Sequence, residues 1–233
     1  MSVIEVRAPG MLTTVQDLGR EGFGPMGVSA SGAADPVALR IGNRLVDNAE
    51  GAAGLEMTLL GGTFIFPGRA VVALTGVDFS ATLDDQPVEL WSSAEVQPGQ
   101  TLRLGPTRGG ARCYLCVRGG IDVKLFLGSA STHLLSGLGG IEGRALRKGD
   151  VLKIGTAGGG FRTFRKRNVA RRALEKLLPR KVLRVHFFGL CWFLSGLWGF
   201  SCDFGPESPS FSAAGLPQRG PWAFWAWAWQ SFR

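Results

Sequence analysis

Short runs of β-type residues, cut every few positions by glycine, proline or aspartate, fill residues 1–160 of the chain. Glycine tolerates left-handed backbone conformations, while proline and aspartate favour turns, so these residues mark the ends of strands. The segments at 84–87 and 97–99 supply such turn chemistry. Short strands at this spacing predict a closed β-barrel or a sandwich. The predicted strands are 3–6, 13–15, 63–66, 70–74, 81–83, 88–91, 101–104, 112–117 and 151–154.

One helix is predicted to interrupt the strands. Asp35 can accept hydrogen bonds from the free N–H groups of a first helical turn, and Pro36 suits the first helical position. Apolar residues that recur at four-residue spacing predict the packed face: Val37, Ile41 and Leu45. The helix should therefore turn Arg40 and Arg44 outward.

The composition changes sharply near residue 160. Residues 1–160 hold 14 Lys and Arg against 15 Asp and Glu, whereas residues 161–233 hold 12 against 3. The first part also carries 29 of the 35 glycines, and the second carries six of the seven tryptophans. The net charge of +8 belongs to the second part, so the first part gives no reason to expect a nucleic-acid partner.

The second part contains three unlike stretches. Residues 161–185 are basic and are interpreted as a solvated linker and the start of a second domain rather than a binding patch. Residues 187–202 carry no charge, yet at 16 residues they are shorter than a usual spanning helix, so a membrane anchor is not expected. Residues 222–229 alternate tryptophan or phenylalanine with alanine, a pattern typical of neither a soluble core element nor a linker.

Several chemical motifs are considered and set aside. Cys113 and Cys116 fall on a predicted strand, where their odd spacing points the two thiols to opposite faces, so no metal site is expected. The glycine-rich run 137–143 is not followed by a helix pattern, which favours a barrel corner over a dinucleotide loop. A phosphate-binding G-x-x-x-x-G-K-[ST] motif is absent from the sequence. His133 and His186 lack an evident nucleophile partner.

Polar residues and glycines are dense at 13–20 and at 27–35. Glycines let backbone N–H groups approach a ligand, and Gln, Asp, Arg and Ser offer donors and acceptors for an amide or a carboxylate. The alternative is that Asp17 and Arg20 pair to order a loop while Asp35 only caps the helix. Chemistry alone leaves these two interpretations open.

A set of ordered blocks carries a family resemblance. The blocks are TVQDLGR at 14–20, GVSASGAADP at 27–36, NRLV at 43–46, LEMTL at 55–59, YLCVRGGID at 114–122, LGSAST at 127–132, GLGGIEGRAL at 137–146 and GD at 149–150. Together they cover about residues 3–155 and resemble the family of the 5-oxoprolinase C subunit. The same family includes biotin-dependent carboxyltransferases, the second subunit of allophanate-hydrolase-type and urea-carboxylase proteins, and the antagonist of a sporulation-kinase inhibitor.

The resemblance implies a mainly β, cyclophilin-like barrel with one inserted helix, usually as two barrels in one chain. It also implies the ATP-dependent opening of 5-oxo-L-proline to L-glutamate in a cytoplasmic complex, with a sister B subunit and a larger catalytic A subunit. ATP is expected at the level of that complex. The alternatives are a urea- or allophanate-type carboxyltransferase subunit, for which biotin is a possible cofactor, and a non-catalytic regulatory antagonist of a kinase inhibitor.

Eight side chains within the matching blocks are candidates for the site. The catalytic candidates are Asp17, which could act as a base, and Arg20. Either Arg20 or Arg118 could hold a carboxylate. The substrate-binding candidates are Gln16, Ser31, Asp35, Asn43, Glu56 and Arg118. No metal is expected.

The resemblance stops near residue 185. Residues 182–185 resemble the family's entry into a second barrel, and none of the expected polar and glycine-rich blocks follows. A reading-frame shift or a wrong gene boundary would explain the breaks in charge, glycine and tryptophan together. We therefore expect a barrel domain at 1–160, a linker at 161–185, an aberrant aggregation-prone tail at 186–233, and no activity of the chain alone.

Overall fold

The computed structural model of the protein describes residues 2–156 and 164–177. The expectations for 186–233 and for most of the second barrel lie outside these residues. The described residues are mainly β, and the first of two compact units ends at Ala173. Of the second unit, only residues 174–177 are described.

Twelve strands and two α-helices lie in the described residues. The strands are β1 (Val3–Ala8), β2 (Leu12–Gln16), β3 (Gly54–Thr58), β4 (Thr63–Ile65), β5 (Ala70–Gly76), β6 (Thr82–Leu83), β7 (Gln86–Pro87), β8 (Ser92–Val96), β9 (Thr101–Arg103), β10 (Arg112–Val117), β11 (Ile121–Asp122) and β12 (Val151–Ile154). The helices are α1 (Pro36–Leu45) and α2 (Arg171–Leu177), and a single 3-10 turn spans Gly24–Met26.

The strands form two antiparallel sheets. One has seven strands in the order β11-β12-β1-β4-β9-β6-β7, and the other has five in the order β2-β3-β10-β5-β8. The main core takes alternate residues from both sheets, as a half-buried strand requires. Among its fully buried side chains are Ile4, Phe64 and Leu152 from the first sheet and Leu55, Leu74 and Leu115 from the second. This architecture confirms the prediction of a mainly β, barrel-like fold.

The strand predictions are largely confirmed, with one error. Residues 88–91 do not form a strand, because β8 begins only after Trp91, which takes a positive φ of 59°. Strand β8 pairs with β5, with Val96 opposite Ala70 and Ser92 opposite Leu74. The register of β8 is therefore set by β5 rather than by the polar sequence of β8 itself. The sequence also missed the strands β3, β7, β8 and β11. Of these, β3 starts with glycine and carries a buried glutamate, Glu56.

Helix α1 begins where predicted. The Asp35 carboxylate accepts a hydrogen bond from the Ala38 N–H at 3.0 Å, and Pro36 is the first helical residue. The predicted apolar stripe is wrong at Val37, which is 49% exposed. The buried face instead includes Leu39 and Gly42, since a Cβ at Gly42 would come within 2.7 Å of the Cys116 sulfur. A glycine there lets the helix lie close to the five-stranded sheet.

The two cysteines of β10 point to opposite faces, as predicted. Cys113 belongs to the core between the sheets, and Cys116 to the smaller cluster under α1. Both thiols are fully buried, and burial raises the pKa of Cys116 to about 12 and that of Cys113 further. Thiols held in the protonated form in this way are poor nucleophiles and poor metal ligands.

Part of the predicted linker lies along the edge of β8. The Ser93 N–H donates to the Arg167 carbonyl at 2.7 Å, and the Val169 N–H donates to the Trp91 carbonyl at 3.0 Å. Phe164 and Val169 pack against the cluster under α1. Residues 164–169 therefore protect a sheet edge that would otherwise expose unpaired backbone groups.

An ion pair fixes the turn before β12 and makes its stability pH-dependent. Arg144 binds Asp150 through both Nη atoms, at 2.8 and 3.0 Å, and this lowers the pKa of Asp150 below its usual range. A lowered folded-state pKa stabilises the fold above the unfolded pKa of about 4, and the contribution is lost as the pH falls through the folded pKa. We expect Asp150→Asn to lower the free energy of unfolding by about 1–2 kcal/mol at pH 7.

Urea unfolding at pH 7 and at pH 3 checks this expectation. The difference in the free energy of unfolding between the parent chain and Asp150→Asn should be smaller at pH 3 than at pH 7. Asp85→Asn is the matched control, because Asp85 is exposed and lies 3.7 Å from Arg103. Its effect should stay within about 0.5 kcal/mol. An Asp150→Asn effect that does not change with pH would contradict the ion-pair explanation.

Candidate functional site

The eight candidate side chains fall into three clusters. Gln16, Asp17, Arg20 and Ser31 lie together beside residues 126–132. Asp35 and Glu56 meet at the start of α1, and Asn43 and Arg118 lie at its end. The first two clusters are joined by residues 31–35, since the Ala33 N–H donates to the Asp17 carbonyl and the Ala34 N–H to Glu56.

Asp17 organises the first cluster. Its Oδ1 accepts from the Gly19 N–H at 2.7 Å and from the hydroxyls of Ser129 and Ser131 at 2.7 and 2.5 Å. Its Oδ2 accepts from the Ala130 N–H at 2.6 Å. The carboxylate is buried and receives four hydrogen bonds, so it holds the turn after β2 against residues 129–131.

Arg20 is a buried cation that binds neutral oxygens. Its Nε donates to the Phe126 carbonyl at 3.3 Å, one Nη donates to the Ser31 hydroxyl at 3.1 Å, and the other donates to the Ser131 carbonyl. The guanidinium also lies 5.4 Å from the centre of the Phe126 ring. Only 2% of Arg20 is exposed, and no carboxylate pairs with it in residues 2–156 or 164–177.

A direct pair between Asp17 and Arg20, one of the two interpretations that the sequence left open, does not form. Both side chains instead bind Ser131, Asp17 through its hydroxyl and Arg20 through its carbonyl. Asp17 and Arg20 thus order the loop together through Ser131. The Arg20 guanidinium has five N–H bonds, and two of them have no partner among the described residues.

Gln16 adds an unsatisfied acceptor to the first cluster. Its Nε2 donates to the Thr14 hydroxyl and to the Thr132 carbonyl, each at 3.1 Å. Its Oε1 is buried and has no hydrogen-bond partner among the described residues. A buried amide oxygen without a donor is costly, and it marks a place where a ligand N–H would be favourable.

The glycine-rich loop 137–143 closes over the same cluster, which the sequence did not indicate. A Cβ at Gly139 would lie 2.1 Å from the Ser131 carbonyl oxygen and 2.8 Å from an Arg20 Nη. A Cβ at Gly140 would lie 2.0 Å from the Thr132 hydroxyl. The loop comes this close only because these positions lack side chains. The next element after the loop is the strand β12.

The second cluster centres on Glu56 and Tyr114. The Tyr114 hydroxyl donates to Glu56 Oε2 at 2.7 Å and accepts from the Asp35 N–H at 2.7 Å. Burial first, and then the Glu56 carboxylate, raise the pKa of Tyr114 well above its usual value. Arg112 lies 3.2 Å from Glu56 Oε1 as an ion pair, although its Nε is buried without the geometry of a hydrogen bond. Tyr114 and Arg112 were not predicted as site residues, because in the sequence their positions in β10 are those of ordinary strand residues.

The third cluster closes the end of α1. The Asn43 amide donates to the carbonyls of Glu50 and Ala52 at 3.1 and 2.7 Å. Arg118 donates to the Val46 carbonyl and to Asp47, each at 3.1 Å. These contacts anchor the turn after the helix and do not reach the first cluster.

Two further properties bear on the chemistry. Residues 2–156 and 164–177 contain no group of three or more acidic, histidine or cysteine side chains arranged to hold a metal ion. In the same residues, no helix has both the length and the apolar character needed to cross a bilayer. The first two clusters therefore contain a buried cation, an amide oxygen without a hydrogen-bond partner among the described residues, and a hydrogen-bonded carboxylate–phenol pair.

A mainly β fold of two antiparallel sheets, with one capped helix packed on the smaller sheet, defines the class of this protein. The carboxyltransferase domain family, subdomains A and B, matches residues 26–186, and the chain belongs to that family. It is 46% identical over 153 residues to the 5-oxoprolinase C subunit of Escherichia coli K12, covering 66% of this chain and 49% of that protein. It is 42% identical over 152 residues to urea amidolyase of Saccharomyces cerevisiae, covering 65% of this chain and 8% of that protein.

Solved structures show the same fold. Urea amidolyase of K. lactis superimposes with a TM-score of 0.64 at 42% identity, over 65% of this chain and 9% of that one. A protein named TTHA0988 superimposes with a TM-score of 0.65 at 35% identity, over 74% of this chain and 34% of that one. The chain thus spans about half of the 5-oxoprolinase relative and a much smaller share of the urea amidolyases.

Proposed function

We propose that this chain supplies part of the substrate site of an ATP-dependent 5-oxoprolinase, which opens 5-oxo-L-proline to L-glutamate. Two relatives named as the C subunit of 5-oxoprolinase, at 46% and 42% identity, support the proposal. Their name makes them one of several subunits, so the proposed partners are a sister B subunit and a larger catalytic A subunit. Cytoplasmic location is part of the same proposal.

One observation carries this function. Arg20 is a buried guanidinium with no carboxylate partner in the described residues, and a buried charge is costly unless it is paired. Guanidinium groups bind carboxylates through two parallel hydrogen bonds, and Arg20 retains two unengaged N–H bonds. The carboxylate of 5-oxoproline would serve as the counterion of Arg20. Since only 2% of Arg20 is exposed, the ligand must displace part of the loops that cover it.

Gln16 complements Arg20 in this proposal. The two side chains contact adjacent residues of one segment, Thr132 and Ser131. The unsatisfied Gln16 Oε1 is an acceptor for the lactam N–H, a group that 5-oxoproline presents beside its carboxylate. Ser31 orients Arg20, and Asp35 with Glu56 fixes the segment that carries Ser31.

Asp17 is proposed as a positioning residue. Its four hydrogen bonds leave little capacity to take a proton from a substrate, and two of the donors are backbone N–H groups that cannot rotate away. A base must lie within hydrogen-bond reach of the proton that it removes. Of the two roles that the sequence suggests for Asp17, the base is thus the less favoured. Asn43 and Arg118 act at a distance, through the end of α1.

ATP would act at the level of the complex, because this sequence carries no phosphate-binding glycine–lysine motif. The chain alone is therefore expected to bind substrate without turning it over. Hydrolysis of the lactam would need the sister subunits.

A second candidate function is favoured by the urea amidolyase relatives. In a urea-carboxylase-type subunit, the ligand would be urea and the ureido ring of biotin. Either presents N–H donors that fit the free Gln16 oxygen, but neither urea nor that ring carries a carboxylate for Arg20. When bound, biotin would supply the carboxyl group. A regulatory antagonist would bind a ligand or partner with no turnover in any mixture.

Isothermal titration of the full chain separates these functions. We expect 5-oxoproline to bind at least about tenfold more tightly than 2-pyrrolidinone, which lacks only the carboxylate. Arg20→Lys should reduce that difference, because an ammonium keeps the charge but cannot form the two-bonded pair. Arg108→Lys is the control, as an exposed arginine of the loop after β9. Thermal unfolding of each variant confirms that the fold is retained.

Three outcomes count against the substrate assignment. Equal binding of both lactams excludes a carboxylate contact, and preferential binding of urea favours the carboxyltransferase function. Binding of 5-oxoproline with no ATP-dependent glutamate formation, in mixtures with the A and B subunits, favours the regulatory function.

A further inference from the structure

A groove of about 600 Å³ lies between α1 and residues 164–169. It shares no residue with the three clusters described above. Its lining residues are Ile41, Arg44, Leu45, Arg165, Lys166, Arg167, Asn168 and Val169. All of them belong to the first compact unit, and the hydrogen bonds of residues 167 and 169 to Ser93 and Trp91 hold one wall in place.

The groove combines an apolar lining with cationic side chains. Ile41, Leu45 and Val169 belong to the cluster under α1 and provide the apolar surface. The remaining wall residues include Arg44, whose side chain is 73% exposed, and Arg165, which is also exposed. Pockets for small molecules typically have this volume and join apolar surface with a few placed polar groups.

Cations outnumber anions around the groove. Arg40 and Arg44 share one carboxylate, Glu50. In the same way, Arg118 and Arg167 share Asp47. Each shared acid neutralises only one of its two partners.

Lys166 and Arg165 are the other two cations that line the groove. Lys166 pairs with Glu89 at 2.8 Å, and this contact lowers the pKa of Glu89. Arg165 makes no hydrogen bond or ion pair with any residue that the structure describes. The four lining cations thus meet three carboxylates, two of which are shared with Arg40 and Arg118. A local surplus of positive charge attracts anions.

We propose that this groove is a second ligand site, for a small organic anion with a carboxylate or phosphate group next to an apolar body. Arg44 and Arg165 hold the anionic group, and Ile41 and Val169 contact the apolar part. The site is distinct from the proposed 5-oxoproline site, because none of its lining residues belongs to the clusters around Arg20 or Glu56.

Phenyl phosphate is the probe, because it joins an anion to an apolar ring. In low-salt titrations of the full chain, it should bind more tightly than inorganic phosphate. Arg44→Ala combined with Arg165→Ala should weaken it at least about tenfold, while both exposed positions leave the fold intact. Ile41→Ser should remove its advantage over inorganic phosphate. Arg103→Ala is the control, as an exposed arginine of β9 in the other sheet.

Three results would overturn the proposal. Phenyl phosphate that fails to bind at millimolar concentration removes the site. Equal affinities in the parent chain and the double variant place binding elsewhere. Tighter binding of a short acidic peptide containing phenylalanine would make the groove a protein-docking surface instead.

Discussion

Replacing Asp17 with alanine is expected to lower the free energy of unfolding by about 3–5 kcal/mol. The change removes the acceptor of four hydrogen bonds in a buried setting. The hydroxyls of Ser129 and Ser131 can rotate to other acceptors, but the N–H groups of Gly19 and Ala130 are fixed by the backbone. Each buried donor left without a partner costs about 1–3 kcal/mol.

Chemical denaturation monitored by tryptophan fluorescence measures the effect of Asp17→Ala. Asp17→Asn should fall between the parent chain and Asp17→Ala, because one amide oxygen still accepts hydrogen bonds while the amide nitrogen faces the Ala130 N–H. Asp122→Ala is the control, since Asp122 is exposed on β11. A loss for Asp17→Ala no larger than that of the control would show that the carboxylate does not hold the loop.

The same variants distinguish the two roles of Asp17. If Asp17 acts as a base, Asp17→Asn should keep nearly the stability of the parent chain but show no turnover in the reconstituted complex. A positioning residue would give parallel losses of stability and of 5-oxoproline affinity. The four hydrogen bonds favour the second pattern.

The local sequence was enough to predict the elements whose boundaries depend on interactions between residues close together in the chain. The α1 boundary followed from an N-cap aspartate and a proline at the first turn, and both act within three residues. The strand at Arg112–Val117 was predicted to the residue, because its apolar run is bounded by glycines and a charge. The opposite orientation of Cys113 and Cys116 followed from the two-residue period of a strand.

The sequence could not indicate the contacts between residues that lie far apart along the chain. Asp17 reaches Ser131 across 114 residues, and Arg20 reaches Phe126 across 106. The motifs marked Asp17 and Arg20 as important, but not that they meet at Ser131 instead of pairing with each other. The fold-level approach of Tyr114 to Glu56 was invisible for the same reason, since sheet register brings them together.

Helix α1 shows how tertiary contacts override a helical pattern. The spacing of Val37, Ile41 and Leu45 predicted the packed face, yet Val37 is exposed. Packing is decided by how closely the helix approaches β5 and β10, and Gly42 permits the closest approach. A small residue can therefore define the buried face more strongly than a large apolar one.

The second large effect is expected at Gly139 in the glycine-rich loop. Gly139→Ala should lower the free energy of unfolding by about 3–5 kcal/mol, combining a left-handed backbone cost with a steric one. Its φ is 69°, and the added Cβ would lie 2.1 Å from the Ser131 carbonyl oxygen. That oxygen accepts from Arg20, so relieving the clash displaces the guanidinium as well. Affinity for 5-oxoproline should therefore fall together with stability.

Gly137→Ala separates the two costs within the same loop. Gly137 has a φ of 61°, nearly that of Gly139, but no atom lies within 4 Å of an added Cβ. It should therefore show only the backbone cost of about 1–2 kcal/mol and leave ligand binding unchanged. Urea denaturation and titration with 5-oxoproline measure both variants. If the two substitutions have equal effects, backbone conformation alone matters, and the close approach of the loop to Ser131 and Arg20 does not shape the site.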